Sequence, residues 1–145
     1  MEERVRKAWD FWNQFGKSPI FLARMAEVND LAFRILCRRH NVKVCYTGML
    51  NATQWVQGHK YQRRVFNTCP EDRPLIVQLA SGDYDSIYRS AIDVSRVCDA
   101  VDINLGCTQH IASRGGYGFF MVETPEKRQE VIKLFQKLVL NVPVP

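Results

Sequence analysis

The sequence lacks the features that identify several large classes of protein. No apolar run approaches the roughly 18 residues that a membrane-spanning helix needs. Residues 1–4 are charged and precede no apolar core, so we expect no secretory signal. No Gly-x-Gly-x-x-Gly motif follows the first predicted strand. The usual dinucleotide-binding fingerprint is therefore missing as well.

The sequence also has few of the cysteine patterns that indicate disulfides or metal sites. Its five cysteines include no Cys-x-x-Cys pair, so we expect reduced thiols and a cytosolic or nuclear location. Cys37 and His40 have a Cys-x-x-His spacing, but no second pair completes a set of zinc ligands. We therefore expect no metal site.

The composition is that of a globular protein. The chain has 145 residues, of which 46% are hydrophobic and 24% are charged, and this length and balance fit one domain. The net charge of +5 is compatible with a polyanionic partner without requiring one. Two groups of basic residues are either solvated faces or phosphate contacts: Arg38, Arg39 and Lys43, and then Lys60, Arg63 and Arg64.

Apolar strands and amphipathic helices alternate along the chain. Short apolar runs predict strands at residues 20–23, 42–46, 75–79 and 100–103. A further strand would begin at residues 142–145. Strands in this alternation form right-handed βαβ units in a parallel sheet. The pattern leaves two architectures open, a small open α/β sheet or the front half of a (β/α)8 barrel.

Helix positions follow from capping residues and apolar spacing. Asn29 or Asp30, Asp83 and Thr124 each occupy a position that predicts a helix N-cap. A short helix is predicted near residues 52–56. Two helices have apolar stripes that we expect to be buried, namely Val5, Ala8, Trp9 and Trp12 in a leading helix, and Val131, Leu134, Phe135, Leu138 and Val139 in the last one.

The stretch with the most chemical information is residues 102–107 (DINLGC). It continues a buried apolar strand, stops at Gly106 and places Cys107 at the carboxyl end of that strand, before a glycine-rich loop at residues 113–118. Sheets and barrels of the α/β kind carry their chemistry at that end of the strands. A lone cysteine there is more often a buried core thiol, so its position alone assigns it no function.

Two longer runs, residues 69–78 (CPEDRPLIVQ) and 98–107 (CDAVDINLGC), resemble the flavin-dependent tRNA dihydrouridine synthases. The resemblance is closest to the branch that reduces uridines in the D loop of cytoplasmic tRNA. It runs from about Ile20 to the last residue. Shorter blocks in the same order extend it, at residues 31–34, 37–39, 45–47, 49–50, 114–115 and 117–118.

The resemblance implies an FMN-carrying (β/α)8 barrel, which a smaller helical tRNA-binding domain completes in the family. Barrels of this kind need about 250 residues, so we expect residues 1–145 to form the N-terminal half, about four of the eight strands. The family's lysine and histidine flavin contacts and its phosphate site come from later strands. We therefore expect this chain by itself to bind FMN weakly, and its two open sheet edges to promote self-association.

The resemblance also implies roles for individual residues. The family adds hydride from reduced flavin to C6 of uracil and a proton to C5, and NADPH reduces the flavin again. Cys107 matches the proton donor, because a thiol with an ordinary pKa of about 8.5 stays protonated at neutral pH. Gln78 matches a residue whose amide bonds the isoalloxazine edge, and Asn104 would orient the uracil or the flavin. Three consecutive residues match a segment whose backbone supports the flavin: Arg24, Met25 and Ala26.

Departures from the family pattern occur at the carboxyl ends of strands. Proline is common where this chain has Arg24 and Thr108, and proline or glutamate is usual where it has Gly48. Loss of proline loosens a turn, and Arg24 adds a charge near the expected flavin. These departures leave an alternative function open, a non-catalytic, flavin-free remnant or binding protein that keeps the half-barrel fold. Gln78 and Asn104 would then serve only as strand-end amides that bond backbone.

Overall fold

A computed structural model describes residues 2–25 and 28–145 of the chain. Within these ranges, helices alternate with strands along the sequence as predicted. In chain order the elements are α1 (Glu2–Asn13), β1 (Phe21–Leu22), α2 (Leu31–Arg39), β2 (Val44–Asn51), α3 (Ala52–Gln57), α4 (His59–Val65), β3 (Leu75–Ala80), α5 (Tyr84–Val94), β4 (Ala100–Ile103), α6 (His110–Gly115), a 3₁₀ helix (Gly118–Met121) and α7 (Pro125–Asn141). None of the described helices is long and apolar enough to span a membrane.

The strands form one parallel sheet in the order β1-β2-β3-β4, which confirms the predicted parallel α/β fold. Every connection between neighbouring strands contains a helix, as parallel pairing requires. Phe21 is paired in register with Val44, and Ile76 is paired with both Tyr46 and Ala100. Because side chains alternate along a strand, these residues lie on one face of the sheet.

The two faces of the sheet have separate cores. On the outer face, Val77 and Leu79 of β3 belong to the larger buried cluster, together with Ile87 of α5 and Leu134 of α7. On the inner face, a smaller cluster joins the strands to α1 and to the segment after it; its members are Phe11, Phe15, Phe21, Val44, Tyr46, Ile76 and Ala100. Helix α1 therefore packs against the amino-terminal part of the inner face.

Side-chain caps begin three helices where the sequence predicts them. The carboxylate of Asp30 accepts a hydrogen bond from Phe33 N at 2.8 Å, and that of Asp83 accepts one from Asp85 N at 3.2 Å. Thr124 Oγ1 caps α7 by accepting from a backbone N–H at 3.4 Å. Each cap satisfies an N–H that the first helical turn leaves without a partner inside the helix.

The prediction for the leading helix is wrong about which side it buries. Val5, Trp9 and Trp12 are 50%, 64% and 42% exposed, whereas Phe11 is only 8% exposed. The ring of Phe11 packs edge-on against Phe15, with 5.0 Å between the ring centroids, and both contact the inner face of the sheet. This aromatic pair, rather than the regular apolar stripe, determines how α1 docks.

Three further element predictions need correction. Strand β2 is longer than predicted, because a register shift between Tyr46 and Met49 lets the pairing with β3 continue. The sequence predicts no helix at His59–Val65, where α4 lies. Two residues of the predicted stripe of α7 are exposed rather than buried, Phe135 and Val139.

The segment after α7 lies beside β4, where the sequence predicts a further strand. Val101 N donates to the carbonyl oxygen of Pro145 at 2.8 Å, and Val142 is buried. A backbone bond of this kind is the contact by which a strand adds to a sheet edge. The last residues therefore begin to pair at the edge of β4.

A buried ion-pair network fixes α2 to the loop before β3. Arg34 is 3% exposed and Asp72 is fully buried, with Nη2 of Arg34 2.6 Å from Oδ2 of Asp72. Nε of Arg38 lies 3.2 Å from the other carboxylate oxygen, and Arg38 Nη2 donates to the carbonyl oxygen of Pro74 at 2.7 Å. Arg38 is therefore neither a solvated residue nor a phosphate contact, the two roles that the sequence leaves open.

Candidate active site

The predicted site residues Gln78, Asn104 and Cys107 come together at the carboxyl ends of β3 and β4. Gln78 is paired in register with Asp102, and it lies two residues beyond Ile76 of the inner-face cluster. Because alternate residues of a strand share a face, Gln78, Asp102 and Asn104 continue that face towards the carboxyl ends. The inner face thus changes from apolar to polar where parallel α/β sheets carry their chemistry.

Gln78 and Asn104 belong to one hydrogen-bonded chain that starts at Asp102. Gln78 Nε2 donates to Oδ2 of Asp102 at 2.5 Å, and Asn104 Nδ2 donates to Oε1 of Gln78 at 3.4 Å. Both carboxamides are buried, with 2% of Gln78 and 7% of Asn104 exposed. The fold therefore joins the two amides that the sequence singles out, and it adds Asp102, which the sequence does not single out.

Asn104 also holds the backbone that carries the thiol. Its Oδ1 accepts from the backbone N–H groups of Gly106 and Cys107, both at 3.1 Å. A side-chain oxygen that accepts from residues two and three positions later forms a compact local turn. The side chain of Cys107 is partly exposed, as a group that contacts a substrate must be.

Close packing against Cys107 requires glycine at position 118. Gly118 has a φ of +68°, and a Cβ there would collide with the carbonyl oxygen of Cys107. The same carbonyl oxygen accepts from Phe119 N at 3.0 Å. The loop after β4 is thus held at its start by Asn104 and on its far side by residues 118–119.

A buried tyrosine lies near the thiol. Tyr117 is 7% exposed, and burial raises the pKa of its phenol. Ionisation of the Cys107 thiol would raise the pKa of Tyr117 further. The phenol therefore stays neutral at neutral pH, and it forms part of the thiol's surroundings without adding a charge.

Arg24 brings a positive charge to the same face from the segment after β1. Its Nη1 lies 3.5 Å from Oδ2 of Asp102, and a Cβ on Gly106 would lie 3.8 Å from its Nη2. The guanidinium therefore lies between Asp102 and the loop after β4. Burial raises the pKa of Tyr46, the charge of Asp102 raises it further, and Arg24 opposes both effects. Tyr46 is accordingly a neutral neighbour of this ion pair.

The rest of the segment that the sequence predicts to support the flavin is only partly described. Asn29 Nδ2 donates to the carbonyl oxygen of Ala23 at 2.8 Å and to that of Tyr46 at 2.9 Å, so it links the segment after β1 to β2. Met25 is 38% exposed, and Ala26 lies outside the described residues. Arg24 is therefore the member of this segment whose side chain reaches the other site residues.

Two residues of β2 that the sequence does not single out as site residues contact Gln78 or Asn104. The register shift in β2 puts Met49 opposite Gln78, with its Sδ 3.3 Å from Nδ2 of Asn104. Thr47 Oγ1 accepts from Gln78 N at 3.1 Å. Gly48, inside this strand, is the sequence signal for such an irregularity. The sequence also contains a signal for Asp102, because a residue two positions before Asn104 shares its face of the strand.

The arrangement is suited to binding a flat, polar ring. Carboxamides such as those of Gln78 and Asn104 carry both donors and acceptors, and Arg24 adds charge-assisted donors. The pyrimidine edge of FMN and the uracil ring each present donors and acceptors, so this set of groups fits both. Within residues 2–25 and 28–145, no group of three or more His, Cys, Asp or Glu side chains could hold a metal ion.

Comparison with known proteins gives consistent matches. The family model described as dihydrouridine synthase matches residues 21–145. A tRNA-dihydrouridine(16/17) synthase-like protein of Rattus norvegicus is 40% identical over 95% of this chain and 32% of its own length. The tRNA-dihydrouridine(16/17) synthase of Schizosaccharomyces pombe is 38% identical over 92% of the chain and 34% of its own length.

A further relative carries a name for different tRNA positions. A tRNA-dihydrouridine(20a/20b) synthase-like protein of Homo sapiens is 37% identical over 77% of the chain and 35% of its own length. All three names also specify NAD(P)(+) or NAD(P)+. The chain thus spans about a third of the length of the curated relatives that it matches.

Proposed function

The chain belongs to the dihydrouridine synthase family, and on that premise we propose that its sheet is the N-terminal half of a (β/α)8 barrel that reduces uridine to dihydrouridine in tRNA. One observation carries the proposal, the hydrogen-bonded chain from Asp102 through Gln78 and Asn104 to the backbone of Cys107. This series of hydrogen bonds places donors and acceptors beside a partly exposed thiol. The reduction of a uracil ring needs both.

The proposed substrate is a uridine in the D loop of tRNA. The relatives are named for tRNA positions 16/17 and 20a/20b, and the identity to the 16/17 proteins extends over more of this chain. Residues 1–145 would form part of the barrel, which a helical tRNA-binding domain would complete. A tRNA substrate and free thiols favour the cytoplasm or the nucleus as the location.

The proposed cofactor is FMN, with NADPH as the reductant. The relatives' names specify NAD(P)(+), which supports a nicotinamide nucleotide in the reaction. Gln78 and Asn104 would hold the isoalloxazine ring, because their carboxamides present donors and acceptors at one point of the inner face. The backbone at residues 24–26 is proposed as a further support on the family resemblance alone. Bound there and reduced by NADPH, FMN would supply the hydride for C6 of uracil.

Cys107 is the proposed acid that protonates C5. Hydride addition at C6 leaves negative charge on the uracil ring, and a proton at C5 neutralises it. The acid must therefore stand within hydrogen-bond reach of C5. Asn104 contributes by holding the N–H of Cys107 at 3.1 Å, which limits the positions that the thiol can take. Tyr117, neutral and buried beside the thiol, adds no competing charge.

One observation favours a second candidate, a flavin-free binding protein that keeps the half-barrel fold. The guanidinium of Arg24 extends over the inner face to within 3.5 Å of Asp102. An ion pair in this place occupies part of the surface that a flat ring would need. The second candidate would keep the fold and the amide chain for stability alone.

Flavin content and dihydrouridine formation in the full-length protein test both candidates. We expect the purified protein to bind FMN and, with NADPH and unmodified tRNA, to form dihydrouridine that mass spectrometry detects. Gln78→Ala should weaken FMN binding by about fivefold, the effect of losing one hydrogen bond. Gln54→Ala, at an exposed position in α3, is the control and should change nothing. A protein that neither binds FMN nor forms dihydrouridine would support the second candidate.

A further inference from the structure

The hydrogen bonds of the inner face have one consistent direction. They run from Asn104 to Gln78 and from Gln78 to Asp102, while Asn104 Oδ1 accepts from the backbone of the Cys107 loop. We propose that Asp102 and Arg24 together set this direction, and that they are thereby positioning residues for Cys107. The importance of this for catalysis rests on the proposed function, whereas the positioning itself does not.

The direction follows from the chemistry of each group. An ionised carboxylate only accepts hydrogen bonds, so the carboxamide of Gln78 must present its NH₂ group to Asp102. Its oxygen then faces Asn104, which in turn must present its own NH₂ group to Gln78. The oxygen of Asn104 is left to face the two N–H groups of the Cys107 loop. If either amide were reversed, two donors or two acceptors would face each other in a buried site, which is costly.

Arg24 acts on the same oxygen atom. Its Nη1 lies 3.5 Å from Oδ2 of Asp102, the oxygen that accepts from Gln78 Nε2 at 2.5 Å. A guanidinium only donates hydrogen bonds. Arg24 therefore favours an acceptor atom at the place of Oδ2, whether residue 102 is Asp or Asn. At the Asp102 end the direction is therefore set twice, once by the carboxylate of Asp102 and once by the guanidinium of Arg24.

This double control predicts a strongly non-additive pair of substitutions. In Asp102→Asn, Arg24 still turns the new amide so that its oxygen faces Gln78. In Arg24→Met, the carboxylate of Asp102 still accepts from Gln78. When both are replaced, no group at the Asp102 end opposes reversal of the hydrogen bonds, and only the N–H groups of Gly106 and Cys107 still favour the original direction. The NH₂ group of Asn104 then competes for the place of its oxygen, and the Cys107 loop loses its acceptor in the reversed fraction of molecules.

Amide hydrogen exchange at Gly106 and Cys107, measured by NMR on this chain without flavin or tRNA, tests the proposal. Each single variant should change exchange at these two amides by less than about twofold, and the double variant should accelerate it about fivefold, the effect of losing one hydrogen bond. Asp99→Asn is the matched control. Asp99 also accepts a backbone N–H and pairs with an arginine, but it lies at the other end of β4.

A third substitution separates loss of direction from general damage. Adding Asn104→Asp to the double variant should restore slow exchange, because a carboxylate accepts from Gly106 and Cys107 whichever way Gln78 turns. Exchange of the β3 amides reports in every variant whether the sheet is intact. Additive effects, no effect in the double variant, or no restoration by Asn104→Asp would each overturn the proposal. Because no activity is measured, these outcomes are independent of whether Cys107 is the proton donor.

Discussion

At the scale of single residues, the position of Cys107 depends on a glycine and on a short asparagine side chain. Because Gly118 has no side chain, the backbone at residue 118 can lie close to the carbonyl oxygen of Cys107. Phe119 N donates a hydrogen bond to that oxygen at 3.0 Å. Asn104 is short enough to reach back to the N–H groups of Gly106 and Cys107. The thiol is thus positioned by backbone contacts on both sides.

Gly118→Ala should lower the free energy of unfolding by about 1–3 kcal/mol, because the new methyl would collide with the Cys107 carbonyl and φ is +68°. Urea unfolding measures this loss. Gly16→Ala is the control, since Gly16 has a φ of +79° with nothing within 4 Å of the added Cβ. It should lose only the backbone preference, about 1 kcal/mol. Equal losses in the two variants would show that the collision is relieved at no cost.

The sequence predicts part of the residue-scale site. Gln78, Asn104 and Cys107 could be named because the runs that carry them resemble a known family, and the structure brings them together. The family resemblance does not single out Asp102, although its spacing from Asn104 places both on one face of a strand. Met49 reaches Asn104 through a register shift in β2. Gly48 indicates an irregularity there, but the pairing that puts Met49 opposite Gln78 depends on the neighbouring strand.

At the scale of secondary-structure elements, the buried pair of Arg34 and Asp72 joins α2 to the loop that enters β3. Arg34 also donates to the carbonyl oxygens of Asn29 at 2.5 Å and Asn67 at 2.7 Å. Its guanidinium therefore has partners both in the segment before α2 and in the loop before β3. A buried charge is tolerated only when it is paired and hydrogen-bonded in this way, so the position of α2 depends on the whole network.

Asp72→Asn should destabilise the protein by about 3–5 kcal/mol, because it leaves the charge of Arg34 buried without its counter-ion. Urea unfolding of the variant and the parent chain measures the difference. Glu130→Gln is the control, since it breaks an exposed pair with Lys133 on α7. It should change the stability by less than about 0.5 kcal/mol. A loss of under about 1 kcal/mol in Asp72→Asn would contradict the structural role of the network.

Helix starts were predictable at this scale, and helix orientations were less so. Asp30, Asp83 and Thr124 cap the helices that they were expected to cap, because a cap depends on residues within one turn. The buried side of α1 depends on the inner face of the sheet, which the sequence does not display. Trp9 fits the apolar spacing and yet is 64% exposed.

At the scale of the whole molecule, β1 and β4 are the outer strands of the described sheet. Residues 142–145 make a single strand-like bond at the edge of β4, and β1 has exposed apolar neighbours, among them Ile20 at 52% exposure. The parallel order was predictable from the alternation of helices and strands. The choice between an open sheet and half a barrel was not, and it came from the family match.

The 145-residue chain by itself should self-associate through these edges, because unpaired strand edges and exposed apolar residues favour pairing between copies. Sedimentation over a range of concentrations measures this. Ile20→Lys should reduce the association, since a charge at an edge opposes strand addition. Ile132→Lys, at a position on α7 that is 49% exposed, should leave it unchanged. A monomer at high concentration, or equal effects of the two variants, would contradict edge pairing.

The central claim is that the inner face reduces uridine with Cys107 as the proton donor, and dihydrouridine formation by the full-length Cys107→Ala variant tests it most directly. A positioned acid contributes about 10²–10⁴-fold to the rate, so tRNA reduction should fall by that factor while NADPH still reduces the bound flavin. Cys69→Ala, which removes a partly exposed thiol in the loop before β3, should leave the rate unchanged. A Cys107→Ala protein that forms dihydrouridine at the parent rate would contradict the claim.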